Sequence, residues 1–99
     1  MTVQHVVLFQ VQETASEEEV ENAFADAAKH LSAVPTVQDF RTGPNIFPGA
    51  TKRLQGVFMK FNNRDEIVEF TKTDNYKQAW VHLNPVLVEG GHTVFQTHI

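Results

Sequence analysis

The first extended stretch of the chain, Val3–Val11, carries apolar residues on both of its faces. Successive strand side chains point to opposite faces. One face therefore holds Val3, His5, Val7, Phe9 and Val11, and the other holds Gln4, Val6, Leu8 and Gln10. A strand that is apolar on both faces is typical of the centre of a sheet. The pattern predicts a central strand with a covering layer on each side.

A long helix is predicted after this strand. Ser16 and Glu19 have the capping-box spacing that marks a helix start, and Pro35 marks its end. Apolar residues recur between them at helical spacing, and they are Val20, Ala23, Phe24, Ala27, Leu31 and Val34.

Two further helical segments are predicted in the second half. One is capped by Asn62 or Asn63 and runs to about Thr71. Asp74 is the expected cap of the next, whose apolar stripe is Tyr76, Ala79, Trp80 and Leu83. Asn84 and Pro85 end it.

The remaining periodic segments alternate as strands do. They are Thr36–Thr42, Arg53–Phe61 and, after a turn at Glu89–Gly91, His92–Ile99. Gln38 and Phe40 are expected on the same face. The segment Gly43–Lys52 contains two prolines and two glycines, and its length suggests a flexible rim or a lid over a site. The resulting order, β-α-β-β-α-β, predicts an α+β domain with one sheet and its helices on one face.

The predicted helices cover only one face of that sheet. The other face keeps a group of apolar residues, namely Val6, Leu8, Leu54, Phe58, Phe95 and Val37. Such a patch would expose several hundred Å², more than soluble monomers usually leave uncovered. We therefore predict a homodimer in which two sheets pack face to face as a barrel.

Composition sets broad limits on function. A chain of 99 residues with net charge −4 is expected to form one domain spanning residues 1–99, and its acidity disfavours a nucleic-acid partner. It has no cysteine, which excludes disulfides and thiolate chemistry. No stretch is apolar enough for a membrane span, and no signal peptide precedes the first strand, so a cytoplasmic location is expected. No motif implies a cofactor.

His5 is the main candidate for chemistry, because it is a titratable ring among apolar neighbours on the central strand. The alternative is a core histidine hydrogen bonded by backbone or by Gln55. Tyr76 and Trp80 are candidates to line a pocket between helices and sheet, together with Val7, Phe9, Phe24, Phe40 and Val57. Plain core packing is the alternative for this aromatic group. A metal site is not expected, since strand spacing separates His92 and His98 by about 20 Å.

Several segments resemble the stress-responsive dimeric α/β barrel (Dabb) family. They are the opening H-V-V-L-F with its capped acidic helix, the Val-Pro before strand two, and F-T-K-T-D-N-Y-K-Q-A-W before a final V-F strand. The resemblance spans nearly the whole chain. It implies a ferredoxin-like fold and a sheet-to-sheet dimer. The family includes plant stress proteins, a plant polyketide cyclase and bacterial proteins of unassigned function.

The resemblance to cyclase members extends to some of their functional residues. His5 matches their first-strand histidine. Their tyrosine and catalytic histidine after the second helix align with Phe70 and Tyr76, and a third-strand histidine aligns with Gln55. Two central catalytic groups are thus replaced. The final strand aligns only with an extra residue or two near Gly90 and Gly91.

Three hypotheses about function follow. The first is a dimeric protein that binds a small apolar or aromatic molecule in a helix–sheet pocket, with His5, Gln55 and Tyr76 as polar contacts. An enzymatic form of it, similar to the polyketide cyclase, would use His5 or Tyr76 as an acid or base. The second is a structural or stress-protective oligomer with a filled interior. The third, cofactor-free oxygenation, has no matching set of residues.

Overall fold

The computed structural model describes residues 2–99, which form one four-stranded antiparallel sheet with helices on one face. The sheet order is β2-β3-β1-β4. The elements are β1 (Val3–Val11), α1 (Glu17–Ser32), β2 (Gln38–Pro44), β3 (Leu54–Phe61), α2 (Arg64–Thr71), α3 (Asp74–Leu83), a 3-10 turn (Asn84–Val86) and β4 (Leu87–His98). The predicted element order is confirmed, and the second helical region is divided in two as expected.

Strand β1 lies inside the sheet, as its two-sided apolar pattern predicts. It pairs with β3 on one side, where His5 lies opposite Met59, and with β4 on the other, where His5 lies opposite Gln96. Its helix-facing residues are buried, and Val3 next to Phe61 is among the least exposed of all. The core therefore lies between this side of the sheet and the helices.

Side-chain caps begin the helices where the sequence places them, with one shift. Ser16 and Glu19 form the complete capping box of α1, and Asn63 caps α2 by accepting from the Glu66 N–H. The cap of α3 is Thr73, whose Oγ1 lies 3.2 Å from the Tyr76 nitrogen. The expectation that Asp74 caps α3 was wrong by one residue, because the Thr73 hydroxyl accepts the hydrogen bond from the helix start.

Strand β2 departs from simple alternation. Its register shifts between Gln38 and Arg41, and Asp39 adopts a φ of 49°. This bulge puts Gln38 opposite Lys60, on the face away from the helices, while Phe40 packs against the core. The prediction that Gln38 and Phe40 share a face was therefore wrong. Asp39 is held by ion pairs to Lys60 and Arg41.

Strand β4 begins earlier than predicted and contains a wide bulge. Val11 pairs with Leu87 and Phe9 with His92, so four residues, Val88 to Gly91, lie opposite the single residue Gln10. Gly90 takes a φ of 71°, a conformation that glycine adopts at little cost. Residues 89–91 are thus a bulge inside one strand, and the turn predicted there was wrong.

The loop between β2 and β3 borders the other side of the sheet. Asn45 donates from its backbone to the Leu54 carbonyl, and its side chain accepts from the Phe47 N–H. Ile46 and Phe47 are exposed. None of the residues 45–53 lines the cavity beneath the helices, so the loop is not a lid over it.

The face of the sheet away from the helices is called the open face below, and its apolar residues are Val6, Leu8, Leu54, Phe58 and Phe95. Leu8, Phe58 and Phe95 are 40%, 39% and 61% exposed. The Phe58 ring lies over Gly56, where an added Cβ would come within 2.9 Å of it. The uncovered patch expected from the sequence is therefore present at these five positions. The expectation that Val37 belongs to it was wrong, because Val37 lies in the turn after α1 and packs against the core. Within residues 2–99, no helix is long and apolar enough to span a bilayer.

Candidate functional site: a cavity between helices and sheet

A cavity of about 220 Å³ lies between the helices and the sheet. Its floor comes from one face of three adjacent strands, and its roof from all three helices. The floor residues are His5, Val7, Phe9, Val57, Met59, His92, Val94 and Gln96, and the roof residues are Leu31, Ile67, Phe70, Thr71, Tyr76, Ala79, Trp80 and Leu83. Most of this lining is aliphatic or aromatic, so the cavity, here called the inner cavity, suits an apolar molecule.

His5 is the buried titratable group of the inner cavity. The side chain is 7% exposed, and its ring stands edge-on to Phe61 with centroids 6.0 Å apart. Burial lowers the pKa of His5 below its ordinary value of 6.5, because the charged ring loses hydration. His5 is therefore a neutral imidazole at neutral pH.

The partner of His5 is Gln96, which lies directly opposite it on β4. The Gln96 amide nitrogen is 3.1 Å from His5 Nδ1. When this amide donates, Nδ1 accepts, and the imidazole proton resides on Nε2. The Gln55 side chain, considered above as a partner, lies elsewhere: it is opposite Phe9 and donates to Thr42 Oγ1 at 3.2 Å.

The second nitrogen of the His5 ring is available to a ligand. His5 Nε2 forms no hydrogen bond within residues 2–99, and in that range no fully buried side-chain nitrogen or oxygen lacks a partner. Nε2 must therefore contact accessible space, and His5 lines the inner cavity. With Nδ1 accepting from Gln96, Nε2–H is a hydrogen-bond donor without a protein partner among residues 2–99.

Aromatic rings form one wall of the inner cavity. Tyr76 stands edge-on to Phe70, with centroids 5.2 Å apart, and Trp80 stands edge-on to Phe9 at 5.6 Å. Tyr76 and Trp80 are both only partly buried. A ring that entered the cavity would meet these edges and faces in the geometries that aromatic pairs favour.

The structure brings together six of the nine residues that the sequence proposes for a ligand site. His5, Val7, Phe9, Val57, Tyr76 and Trp80 line the inner cavity, whereas Phe24, Phe40 and Gln55 do not. Phe24 packs edge-on to Phe9 within the core, with centroids 5.8 Å apart. Phe40 is a partly buried residue packed against the core.

Sequence reasoning missed Gln96, Met59, Val94 and most of the roof. The alternation of β4 already places His92, Val94 and Gln96 on one face. That pattern could have suggested a polar residue facing His5, but only the pairing register shows which one. Within residues 2–99, no three His, Cys, Asp or Glu side chains are grouped so as to hold a metal ion.

The arrangement of one antiparallel sheet, helices on one face and an apolar cavity between them defines a class of small α+β domain. The pattern of the stress-responsive A/B barrel (Dabb) domain matches residues 3–90. The chain therefore belongs to the Dabb family, as its resemblance implied. No curated protein sequence matches it significantly.

Solved structures with the same fold confirm the ferredoxin-like architecture. A dimeric ferredoxin-like protein of unknown function from Thermobifida fusca is 18% identical, with a TM-score of 0.84 over 100% of this chain and 92% of that one. A Dabb family protein from Mesorhizobium loti is 20% identical, with a TM-score of 0.79 over 99% and 96%. Hydroxynitrile lyase from Passiflora edulis is 15% identical, with a TM-score of 0.81 over 99% and 93%.

Proposed function

We propose that this protein binds a small aromatic molecule in the inner cavity and contacts it through His5. The supporting observation is an apolar cavity of about 220 Å³ that is bordered by His5. The Nε2 atom of this buried imidazole has no hydrogen-bond partner among residues 2–99. An apolar protein cavity of about 150 Å³ is large enough to admit benzene. The volume therefore suits a single ring with a small substituent.

The preferred ring carries an oxygen near His5. Most of the lining offers only dispersion contacts, so orientation depends on the few polar groups present. The Nε2–H of His5 would donate to a phenolic or carbonyl oxygen. The filled interior expected of a purely structural oligomer is not favoured by a cavity of this size.

The binding test compares two buried polar residues that differ in position. His5 and Gln55 are each 7% exposed on the helix-facing side of neighbouring strands, but only His5 borders the inner cavity. Phenol or p-cresol is titrated into the protein while Trp80 fluorescence and heat are recorded. We expect His5→Leu to weaken binding about five- to tenfold, the range of one hydrogen bond, and Gln55→Leu to leave it unchanged. Equal effects of the two substitutions would contradict the proposal.

An enzymatic form of this proposal assigns proton transfer to His5 and Tyr76. Both side chains border the inner cavity. Because His5 is neutral at neutral pH, its tautomer with the proton on Nδ1 has a lone pair on Nε2 that can accept a proton from a phenolic or polyketide-like substrate, and the Tyr76 hydroxyl would be the acid. Turnover of such a substrate that is lost in both His5→Leu and Tyr76→Phe would establish it. Turnover retained in both variants would exclude these residues.

We also propose that the chain is a homodimer joined through the open face. Leu8, Phe58 and Phe95 are large, apolar and exposed on one side of the sheet, which is the arrangement expected of an interface. Relatives described as dimeric share the fold. We also propose a cytoplasmic location, as expected from the sequence.

A further inference from the structure

A second, larger cavity adjoins the inner one. It has a volume of about 550 Å³ and is here called the outer chamber. Phe9, Trp80 and His92 border both spaces. The two cavities are therefore neighbours that share a wall made of three rings.

The three rings of the shared wall lie close together. The Trp80 ring lies 5.6 Å from Phe9 and 5.4 Å from His92, and Phe9 and His92 are 6.3 Å apart, all between centroids. Trp80 is only partly buried. A ligand that occupied both spaces would require a change of the Trp80 side-chain rotamer, which does not require backbone movement.

The outer chamber owes its shape to the β4 bulge. Leu87 to Gly91 border it, and Val88 to Gly91 are the four residues that the register shift places opposite Gln10. Bulges of this kind are frequent beside functional sites.

The two spaces differ in chemistry. The inner cavity is mainly apolar, whereas Gln12, Asn84 and Glu89 bring amide and carboxylate groups to the outer chamber. Within residues 2–99, its wall has one carboxylate, Glu89, and neither lysine nor arginine. A positively charged group is thus better suited to the outer chamber than a negatively charged one.

Strand geometry sets the length of a ligand that would use both spaces. His5 and Phe9 are four residues apart on β1, a separation of about 13 Å along the strand. A single ring that contacts His5 Nε2 would not extend along the strand as far as Phe9. A chain attached to the far side of that ring would point towards Trp80 and His92.

We propose that the ligand is an aromatic ring bearing a flexible chain that ends in a primary ammonium group. Its ring occupies the inner cavity, its chain passes between Trp80 and His92, and the ammonium lies in the outer chamber near Glu89. This inference rests on the proposed function, since the ring must first bind beside His5.

The test uses four phenols with a butyl chain at the para position, ending in methyl, hydroxyl, ammonium or carboxylate, and p-cresol as the ring without a chain. Calorimetry gives the affinity of each. We expect the ammonium compound to bind most tightly and to exceed the carboxylate compound about fivefold, as suits an exposed charge pair. Glu89→Gln should remove that difference. Glu18→Gln, which deletes an equal charge from the exposed start of α1, should leave it intact.

The outcomes separate this inference from the proposed function. If p-cresol binds but all four chain ends have equal affinity, or every chain weakens binding, the outer chamber is not a subsite and the inference is wrong. If p-cresol does not bind, the proposed function itself fails. Far-UV circular dichroism of each variant shows that the fold is kept.

Discussion

Substitution of Phe95 by serine should separate the two subunits of the proposed dimer. A phenylalanine side chain offers about 200 Å² of surface, and Phe95 is 61% exposed, so about 120 Å² would be covered in each subunit. At ~25 cal/mol per Å², two copies correspond to at most about 6 kcal/mol. Truncation of a central interface aromatic costs at least about 2 kcal/mol. We therefore expect the dimer Kd to rise between about thirtyfold and about twenty-thousandfold.

Sedimentation equilibrium measures this Kd directly, because the subunit mass is 11.2 kDa and the dimer has twice that mass. The matched control is Val81→Ser. Val81 is also 61% exposed, but it lies on α3, on the opposite side of the molecule from the open face. A wild-type protein that is monomeric at all concentrations, or equal effects of the two substitutions, would refute the reasoning.

Two further predictions concern His5 and the α3 cap. Because the folded pKa of His5 lies below 6.5, the unfolded chain binds its proton first on acidification, so the free energy of unfolding should fall as pH decreases below about 6.5. Urea titrations at several pH values should show a smaller fall in the free energy of unfolding for His5→Gln than for wild type. The control His98→Gln, which changes an exposed histidine, should show the same fall as wild type. An unchanged pH dependence in His5→Gln would exclude the mechanism. Thr73→Ala should lower stability by about 1 kcal/mol through loss of the cap, whereas Asp74→Ala should cost only a few tenths, about the value of a charge near a helix start. Thermal denaturation distinguishes them, and a larger loss from Asp74→Ala would restore Asp74 as the cap.

Local signals in the sequence were sufficient for the elements and their order. The Ser16 capping box and the apolar stripe of α1 depend on residues three or four positions apart, and both are present as predicted. The two-sided pattern of Val3–Val11 likewise placed β1 inside the sheet. Such features depend on near neighbours, so the sequence carries them directly.

The site was only partly predictable because it depends on strand register. The bulges at Asp39 and at residues 88–91 shift the pairing of both edge strands, and a shift of one residue exchanges the two faces. Alternation alone could not show that Gln96, rather than Gln55, lies opposite His5. Phe24 and Phe40 were predicted to line the cavity because they are apolar. Apolar character alone does not distinguish residues that line a cavity from residues of the surrounding core.

The most direct test of the account is to locate a bound ring by NMR. With p-cresol and isotope-labelled protein, we predict intermolecular nuclear Overhauser effects from the ring protons to the methyl groups of Val7 and Val94. These two residues are paired across β1 and β4, and both line the inner cavity. The His5 Nε2 resonance should shift as the ligand is added. Contacts confined to the open face, with unchanged Val7, Val94 and His5 signals at saturation, would contradict the central claim that the inner cavity is the binding site.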